Sequence, residues 1–279
     1  MGKRSNFLIT CLAFGFAFFY IPIISMIFFS FNKSRLATVW GGFSTQWYGK
    51  LFNNSQVLDA ALLSLEIAVM SATFATVLGT MAGMAIARFS RFRGRTLFSG
   101  LVSAPLVMPE VITGVSMLLL FVFMQQLIGW PNGRGVTTVT IAHTTFSMSY
   151  VAVVVQSRLS SMDRSLEEAA MDLGSKPFQV LFDVTLPIIA PAMISGWLLA
   201  FTLSLDDVVI TSLTNGPGTT TLPIYIWGKV KLGVTPDINA LATIIVVVVG
   251  VGVAIAGVLM HRAEKQRERD IQMAIAANK

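Results

Sequence analysis

The chain has 279 residues, of which 54% are hydrophobic and 12% are charged. Soluble domains carry about 25% charged residues, so this composition indicates an integral membrane protein that is embedded in the lipid bilayer. The single cysteine, Cys11, excludes an internal disulfide framework. Because no nucleic-acid-binding motif accompanies the net charge of +6, a nucleic-acid partner is not expected.

The first predicted element is a membrane span at residues 7–30, which run for 24 positions without a charge. At about 1.5 Å per residue, this length is enough to cross a hydrocarbon layer of about 30 Å. Lys3 and Arg4 precede it, as in a signal peptide, but the apolar run is too long and has no convincing small-residue cleavage site. We therefore predict a span that is not cleaved.

The loop at 31–57 contains Trp40, Trp47 and Tyr48 among glycines and polar residues. Aromatic side chains of this kind usually lie at the membrane interface. The alternative is a docking surface for an external partner, since aromatic residues are enriched in protein interfaces.

Five more apolar windows follow, and together with the first they predict an all-α membrane protein with six transmembrane helices. The third span is long and contains Pro105 and Pro109, which predict a kink or an initial interfacial segment. No internal repeat or linker is evident, so we predict one transmembrane domain over residues 1–279 with its core at about 58–260. The five windows are 58–87, 97–128, 137–157, 188–213 and 239–260.

Basic residues are distributed unequally between the two sides of the predicted membrane. The two terminal segments and the loops at 88–96 and 158–187 hold 14 of the 20 Lys and Arg residues. By the positive-inside rule, both termini and the loop at 158–187 are cytoplasmic.

Ionisable residues at membrane depth are costly and usually mark a pathway. Asp206 and Asp207 lie within the fifth span, where adjacent carboxylates facing a wet cavity would attract an organic cation. An equally weighted alternative is that they lie near the outer end of the helix or pair with a basic residue such as Lys229 or Lys231.

Two glutamates, Glu66 in the second span and Glu110 in the third, are weaker pathway candidates. Glu66 could face a polar junction between helices. Glu110 could instead cap the helix that starts after Pro109.

Four polar residues share one face of the fourth span, namely Thr140, His143, Ser147 and Tyr150. They could line a translocation path, but small polar residues more often serve helix packing in membranes, and we favour packing because the stripe contains no charge. No second ligand stands at metal spacing from His143, so we expect it to be a hydrogen-bonded interior group.

The stretch at 165–187 is polar and predicts one short helix outside the bilayer. Ser165 and Glu168 predict a capping box, while Gly174 followed by Pro177 predicts the end of the helix after about nine residues. A helix this short needs a tertiary partner. Its apolar face comprises Leu166, Ala169, Ala170 and Leu173, and beside that face lie Glu167, Glu168, Met171 and Asp172.

This stretch resembles the EAA motif of membrane permeases in ATP-driven, binding-protein-dependent importers. The motif here is Glu168-Ala169-Ala170, Gly174 after three more residues, and then Val184-Thr185-Leu186-Pro187 after nine more, with Val184 where isoleucine is usual. The resemblance implies the type I (MetI-like) permease fold and a coupling helix in the loop at 158–187. An ordinary amphipathic loop helix is the alternative. The residues expected to dock on a cytoplasmic ATPase are Glu168, Ala169, Ala170, Leu173 and Gly174.

Catalytic signatures are missing from the sequence. It has no G-x-x-x-x-G-K-[ST] phosphate loop, no H-E-x-x-H and no C-x-x-C, and its histidines are His143 and His261. The resemblance therefore implies that other subunits hold the nucleotide site, and that this chain is neither an enzyme nor the carrier of a cofactor.

Several segments between residues 20 and 260 resemble the polyamine permeases that import putrescine and spermidine. This likeness implies one of two different permease subunits in a bacterial inner-membrane importer, with a homologous permease, a pair of ATPases and an external polyamine-binding protein as partners. Alternating access is the implied mechanism, and we predict that Asp206, Asp207 and Glu110 line the cation path. The similar segments are 20–24, 30–34, 43–48, 203–209, 216–218 and 238–243.

Three other interpretations remain open. A secondary carrier for organic cations would also place carboxylates in its spans, but such carriers usually show inverted repeats, and none is evident here. A membrane-embedded enzyme would need a constellation of nucleophile, base or metal ligands. The same class of permease could carry an anion, a metal or a sugar, although the paired aspartates argue against it.

Overall fold

The computed structural model describes residues 6–36, 39–89, 91–233 and 235–252, together with residues 258 and 265. Within this part of the chain the regular structure is helical, apart from one isolated bridge between Asn32 and Phe43, which confirms the all-α prediction. The elements are α1 (Asn6–Ser30), α2 (Gln46–Phe52), α3 (Ser55–Arg88), α4 (Arg95–Val107), α5 (Glu110–Ile128), α6 (Val136–Ser160), α7 (Ser165–Asp172), α8 (Pro177–Val180), a π-helical segment (Leu181–Thr185), α9 (Leu186–Asp206), α10 (Val209–Thr214), α11 (Leu222–Leu232) and α12 (Pro236–Gly252).

Each of the six predicted spans overlaps at least one apolar helix. Five helical runs are long and apolar enough to cross a membrane: α1, α3, α5, α6 and the run from α8 through α9. The sixth predicted span, 239–260, overlaps the shorter apolar helix α12, and its positions beyond Gly252 lie mostly outside the described residues.

Two predicted spans are divided in the structure. The third is split into α4 and α5 at Met108, which has extended backbone (φ −75°, ψ 137°) because the proline that follows disfavours helical backbone. The fifth predicted span, 188–213, is also interrupted. That span is divided into α9 and α10 at Asp207, whose backbone is also extended (φ −66°, ψ 126°).

The described chain falls into two compact units, one formed by residues within 1–55 and 229–279 and the other by Gln56–Gly228. The single-domain prediction therefore stays a prediction. In the second unit, α6 contributes to three clusters of buried apolar side chains, which join it to α3 and α9, to α3 and α4, and to α5 and α10. Thr140, His143 and Ser147 are buried on this central helix, which agrees with their predicted role in packing.

The helices α3 and α6 approach each other closely at two glycines of α3. A Cβ atom on Gly79 would lie 2.7 Å from the carbonyl oxygen of Met148, and one on Gly83 would lie 2.8 Å from that of Ala152. Because the glycines are four residues apart, both lie on one face of α3, where small residues allow membrane helices to come into backbone contact. This contact fixes α3 against the central helix.

In the first unit, Asn32 organises the loop that follows α1. Its buried side-chain amide donates to the carbonyl oxygens of Leu36 and Val39 and accepts the backbone N–H groups of Ser34 and Gly41. All four hydrogen-bonding positions of the amide are therefore used, as burial of a polar side chain requires.

The aromatic residues of this loop also pack within the first unit. Trp47 is buried, and its indole N–H donates to the backbone oxygen of Asn32 at 2.6 Å. The Tyr48 hydroxyl lies 2.7 Å from the Ser30 hydroxyl, and the Trp40 ring stacks on an aromatic ring of α1. Trp47 and Tyr48 thus hold the loop together. Trp40 is 43% exposed, and its docking on an external partner stays a prediction.

Candidate functional site

The motif helix α7 begins at Ser165, but its cap differs from the predicted one. The Asp163 carboxylate accepts the backbone N–H of Ser165 at 2.9 Å. The predicted capping box of Ser165 and Glu168 is therefore wrong, because the cap acceptor lies two positions earlier in the chain. Hydrogen bonds from the backbone and the side chain of Ser165 hold the pKa of Asp163 below its ordinary value, since they favour the charged carboxylate.

The end of α7 is set by Gly174, as predicted. Its φ of 91° lies in the left-handed region that favours glycine. The N–H of Gly174 donates to the carbonyl of Met171, and that of Ser175 donates to the carbonyl of Ala170, which closes the last turn. The chain then enters α8 at Pro177, so the predicted stop signal is confirmed.

The apolar face of α7 is uncovered. Leu166 is 49% exposed, Leu173 is 88% exposed, and Ala169 is also exposed, while Ala170 is half-buried. The motif residue Glu168 is exposed beside them. An uncovered apolar face on a polar loop is typical of a docking surface.

Next to this face, Glu167 fixes α7 to the rest of the second unit. Its carboxylate lies 3.1 Å from Nε of Arg88 in the last turn of α3, and it accepts the hydroxyl of Thr185 at 2.8 Å. The Arg164 guanidinium adds a hydrogen bond to the carbonyl oxygen of Ala87. These side chains border a cleft of about 590 Å³ whose lining is mostly apolar.

The break between α9 and α10 contains a buried polar network centred on His143. Its Nδ1 lies 2.6 Å from the Ser204 hydroxyl, and its Nε2 lies 3.0 Å from the Thr211 hydroxyl and 3.2 Å from the Asp207 carboxylate. A neutral imidazole protonated at Nε2 satisfies these contacts, because Ser204 can donate to Nδ1 while Nε2 donates to the other two groups. His143 is therefore a hydrogen-bonded interior group, as predicted.

Asp207 also caps α10. Its Oδ1 accepts the N–H of Ile210 at 3.2 Å, and its Oδ2 accepts both the N–H and the hydroxyl of Thr211 at 2.7 Å. The Asp207 side chain is only 9% exposed, and both of its oxygens already have protein partners. Its contact with a transported cation stays a prediction.

The other candidate pathway carboxylates are exposed. Asp206, Glu66 and Glu110 each present an exposed side chain, so the two adjacent aspartates have different environments. Glu110 is the first residue of α5, where a negative charge interacts favourably with the helix dipole. That position supplies the electrostatic part of the predicted capping role, without a side-chain cap hydrogen bond.

Sequence reasoning missed the anchoring role of Glu167 and Arg88. It treated Glu167 as part of an acidic edge and Arg88 as a topology signal. The available signal was Thr185, whose hydroxyl needs a hydrogen-bond partner when it is buried. Ser204 and Thr211 were likewise not singled out, because their contacts with His143 join residues 61 and 68 positions apart.

Comparison with known proteins extends these observations. A family model described as the inner membrane component of binding-protein-dependent transport systems matches residues 75–269, which include α7 and the His143 network. The chain is 56% identical over 271 residues to the putrescine transport system permease protein PotI of Escherichia coli (strain K12), covering 97% of this chain and 96% of that protein. It is 43% identical over 232 residues to the spermidine/putrescine transport system permease protein PotC of the same strain, covering 83% and 85%.

Solved structures of bacterial transporters share the architecture. A chain of a bacterial ABC transporter involved in the import of the acidic polysaccharide alginate aligns with a TM-score of 0.68 and 15% identity, covering 92% of this chain and 98% of that one. A chain of the MetNI methionine ABC transporter in an inward-facing conformation aligns with a TM-score of 0.58 and 19% identity, covering 74% and 95%. At these identities the likeness shows the fold alone, and the predicted MetI-like fold is confirmed.

Proposed function

The chain belongs to the family of binding-protein-dependent transport system inner membrane components, and from this membership we infer that it imports a polyamine such as putrescine. It is a multi-pass permease subunit of an ATP-driven importer and not an enzyme. The observation that carries the cargo assignment is the 56% identity to a putrescine permease over 97% of the chain.

An importer of this kind needs three partners that this chain does not supply. They are cytoplasmic ATPase subunits, a second homologous permease and an external polyamine-binding protein. The distribution of Lys and Arg supports a bacterial inner membrane topology with both termini and α7 in the cytoplasm. The two ends of α3 then lie on opposite sides of the membrane, with Ser55 on the external side and Arg88 on the cytoplasmic side.

The ATPase docks on α7 in this proposal. The uncovered side chains of Ala169 and Leu173 supply an apolar contact, and Glu168 supplies a charge at its border. Ala170 is small enough to admit a close approach, and Gly174 turns the chain away after the helix. Closure of the ATPases on ATP displaces α7, and the resulting movement of the spans opens the path alternately to each side.

Asp206 is the carboxylate best suited to meet a transported amine. It is exposed, whereas its neighbour Asp207 is engaged by His143 and by the start of α10. We assign Asp207 to the support of the helix break that presents Asp206. Glu110, exposed at the start of α5, adds a second negative charge to the proposed path. Two carboxylates match the two charges of a diammonium cargo.

Copurification tests the importer assignment. The tagged wild-type chain, expressed with its partners, is expected to elute with an ATPase and a second permease. Replacing Leu173 with serine removes an apolar contact worth about 2 kcal/mol, so ATPase affinity should fall roughly thirtyfold. Leu232→Ser is the matched control, because Leu232 is also 88% exposed but lies outside the docking helix. Equal ATPase retention by both variants would contradict docking through α7, and a wild-type chain that elutes alone would contradict the importer.

Uptake kinetics test the proposed cargo contact. Asp206→Asn removes a charge without changing side-chain size, so the apparent KM for labelled putrescine should rise about tenfold, as expected for one lost charged hydrogen bond. Asp183→Asn is the control, since Asp183 is an exposed carboxylate of the π-helical segment. An unchanged KM in Asp206→Asn would remove this residue from the path.

A further inference from the structure

Two side chains bring four segments of the second unit together beside the docking helix. The carboxylate of Glu167 on α7 contacts Nε of Arg88 with its two oxygens at 3.1 and 3.2 Å. The same carboxylate accepts the Thr185 hydroxyl at 2.8 Å. A second guanidinium nitrogen of Arg88 donates to the carbonyl oxygen of Leu159 at 3.2 Å. The ends of α3 and α6, the π-helical segment and α7 therefore share one junction.

The junction is mostly enclosed. The Arg88 and Glu167 side chains are only 17% and 16% exposed, so water screens their charges less than those of an open surface pair. Arg88 lies in the last turn of α3, where a positive charge also interacts favourably with the helix dipole. Each partner would leave an enclosed charge if the other were removed, which makes the contact costly to break.

The π-helical segment sets the position of Thr185 in this junction. The N–H of Leu186 donates to the carbonyl of Leu181, five residues back rather than four. One inserted residue rotates the side chains that follow by about 100° relative to an uninterrupted α-helix. Thr185, at the end of the segment, is buried and faces Glu167. Single π-turns of this kind are frequent at functional sites.

The two neighbouring glutamates of α7 have different environments. Glu168 is exposed on the docking side, whereas Glu167 is bonded to α3 and to the segment that leads into α9. We propose that Glu167 is the positioning residue through which displacement of α7 is transmitted to the membrane helices. Its contacts with Arg88 and with Thr185 transmit this displacement to α3 and to the segment that leads into α9. This proposal rests on the proposed function, because it names the internal connection of the same docking helix.

The coupling ratio of the reconstituted importer, which is the amount of putrescine taken up per ATP hydrolysed, tests the proposal. Glu167→Gln keeps the size of the side chain and can still accept from Thr185, but it loses the charge that holds Arg88. The ATPase should still co-elute, while putrescine taken up per ATP hydrolysed should fall about tenfold, the size expected for one lost hydrogen bond to a charged group. Thr185→Val should lower the same ratio by a smaller factor. Asp183→Asn, which changes an exposed carboxylate of the same segment, should leave it unchanged.

An exchange of the two charges adds a second measurement. The double variant Glu167→Arg with Arg88→Glu should recover a higher coupling ratio than either single variant, because the pair can form again in reverse. An unchanged ratio in both Glu167→Gln and Thr185→Val would overturn the proposal. Loss of ATPase co-elution in Glu167→Gln would also overturn it, because Glu167 would then be a docking residue. A wild-type complex that hydrolyses ATP without putrescine uptake would instead contradict the proposed function.

Discussion

Replacing Gly79 with leucine is expected to force α3 away from α6. Most of the protein should then fail to fold, so the yield of folded protein in the membrane should fall. A Cβ atom at this position would lie 2.7 Å from both the carbonyl oxygen of Met148 and Cβ of Val151. The backbone oxygen cannot rotate away, so the helices themselves must move. Overpacking of this kind costs about 3 kcal/mol, a large part of the stability of a typical domain. Thermal unfolding in detergent and the yield of monodisperse protein measure the effect.

Gly100→Leu is the matched control for this experiment. Gly100 lies within α4, is exposed, and has no heavy atom within 4 Å of its ideal Cβ position. The same substitution there adds apolar surface without a clash and should leave the unfolding temperature close to that of the wild type. If Gly79→Leu unfolded at the same temperature as Gly100→Leu, the close contact of α3 with α6 would be contradicted.

His143→Ala is expected to have the second large effect, because it leaves the Asp207 carboxylate without its imidazole partner in an enclosed site. His143 makes three hydrogen bonds in this site, one of them to a charged carboxylate, and at about 1–2 kcal/mol each their loss costs about 3–5 kcal/mol. The loss should appear as a lower unfolding temperature and as loss of putrescine uptake, since the helix break that presents Asp206 would lose its hydrogen bonds to α6. Ser204→Ala removes two neutral hydrogen bonds, to His143 and to Ser71, and should cost about 2 kcal/mol.

A double-mutant cycle separates this pair from general destabilisation. Asp207→Ala combined with His143→Ala should destabilise less than the sum of the two single variants, because each single variant already loses the hydrogen bond between them. Additive changes in the free energy of unfolding would show that His143 and Asp207 do not interact. Retention of the wild-type unfolding temperature by His143→Ala would exclude a structural role for the network.

The spans were predictable because a membrane requires long apolar runs, whatever the tertiary contacts are. The helix break at Asp207 was not, because a hydrophobicity window averages over one or two carboxylates. The physical signal was local: a carboxylate three and four residues before Ile210 and Thr211 can accept their free N–H groups and start a new helix. The Pro109 break was easier, since proline restricts the residue before it.

The motif in the loop at 158–187 was also predictable, because its residues are close in sequence. The junction of Glu167 with Arg88 was not, since these residues are 79 positions apart and spacing carries no information about such a contact. Trp47 shows the same limit within a loop. Its aromatic ring suggested the membrane interface or a partner, and its indole N–H instead holds the backbone of Asn32.

The side-chain partners of Asn32 all lie within nine positions along the chain. The side-chain hydrogen bonds of this turn therefore need no residue that is synthesised after Gly41. The hydrogen bond from the Trp47 indole to the backbone oxygen of Asn32 can form soon afterwards. During translation, the hydrogen bonds of this turn can form while most of the polypeptide is still unmade. The growing protein can thus form this turn before the ribosome has synthesised the helices that follow it.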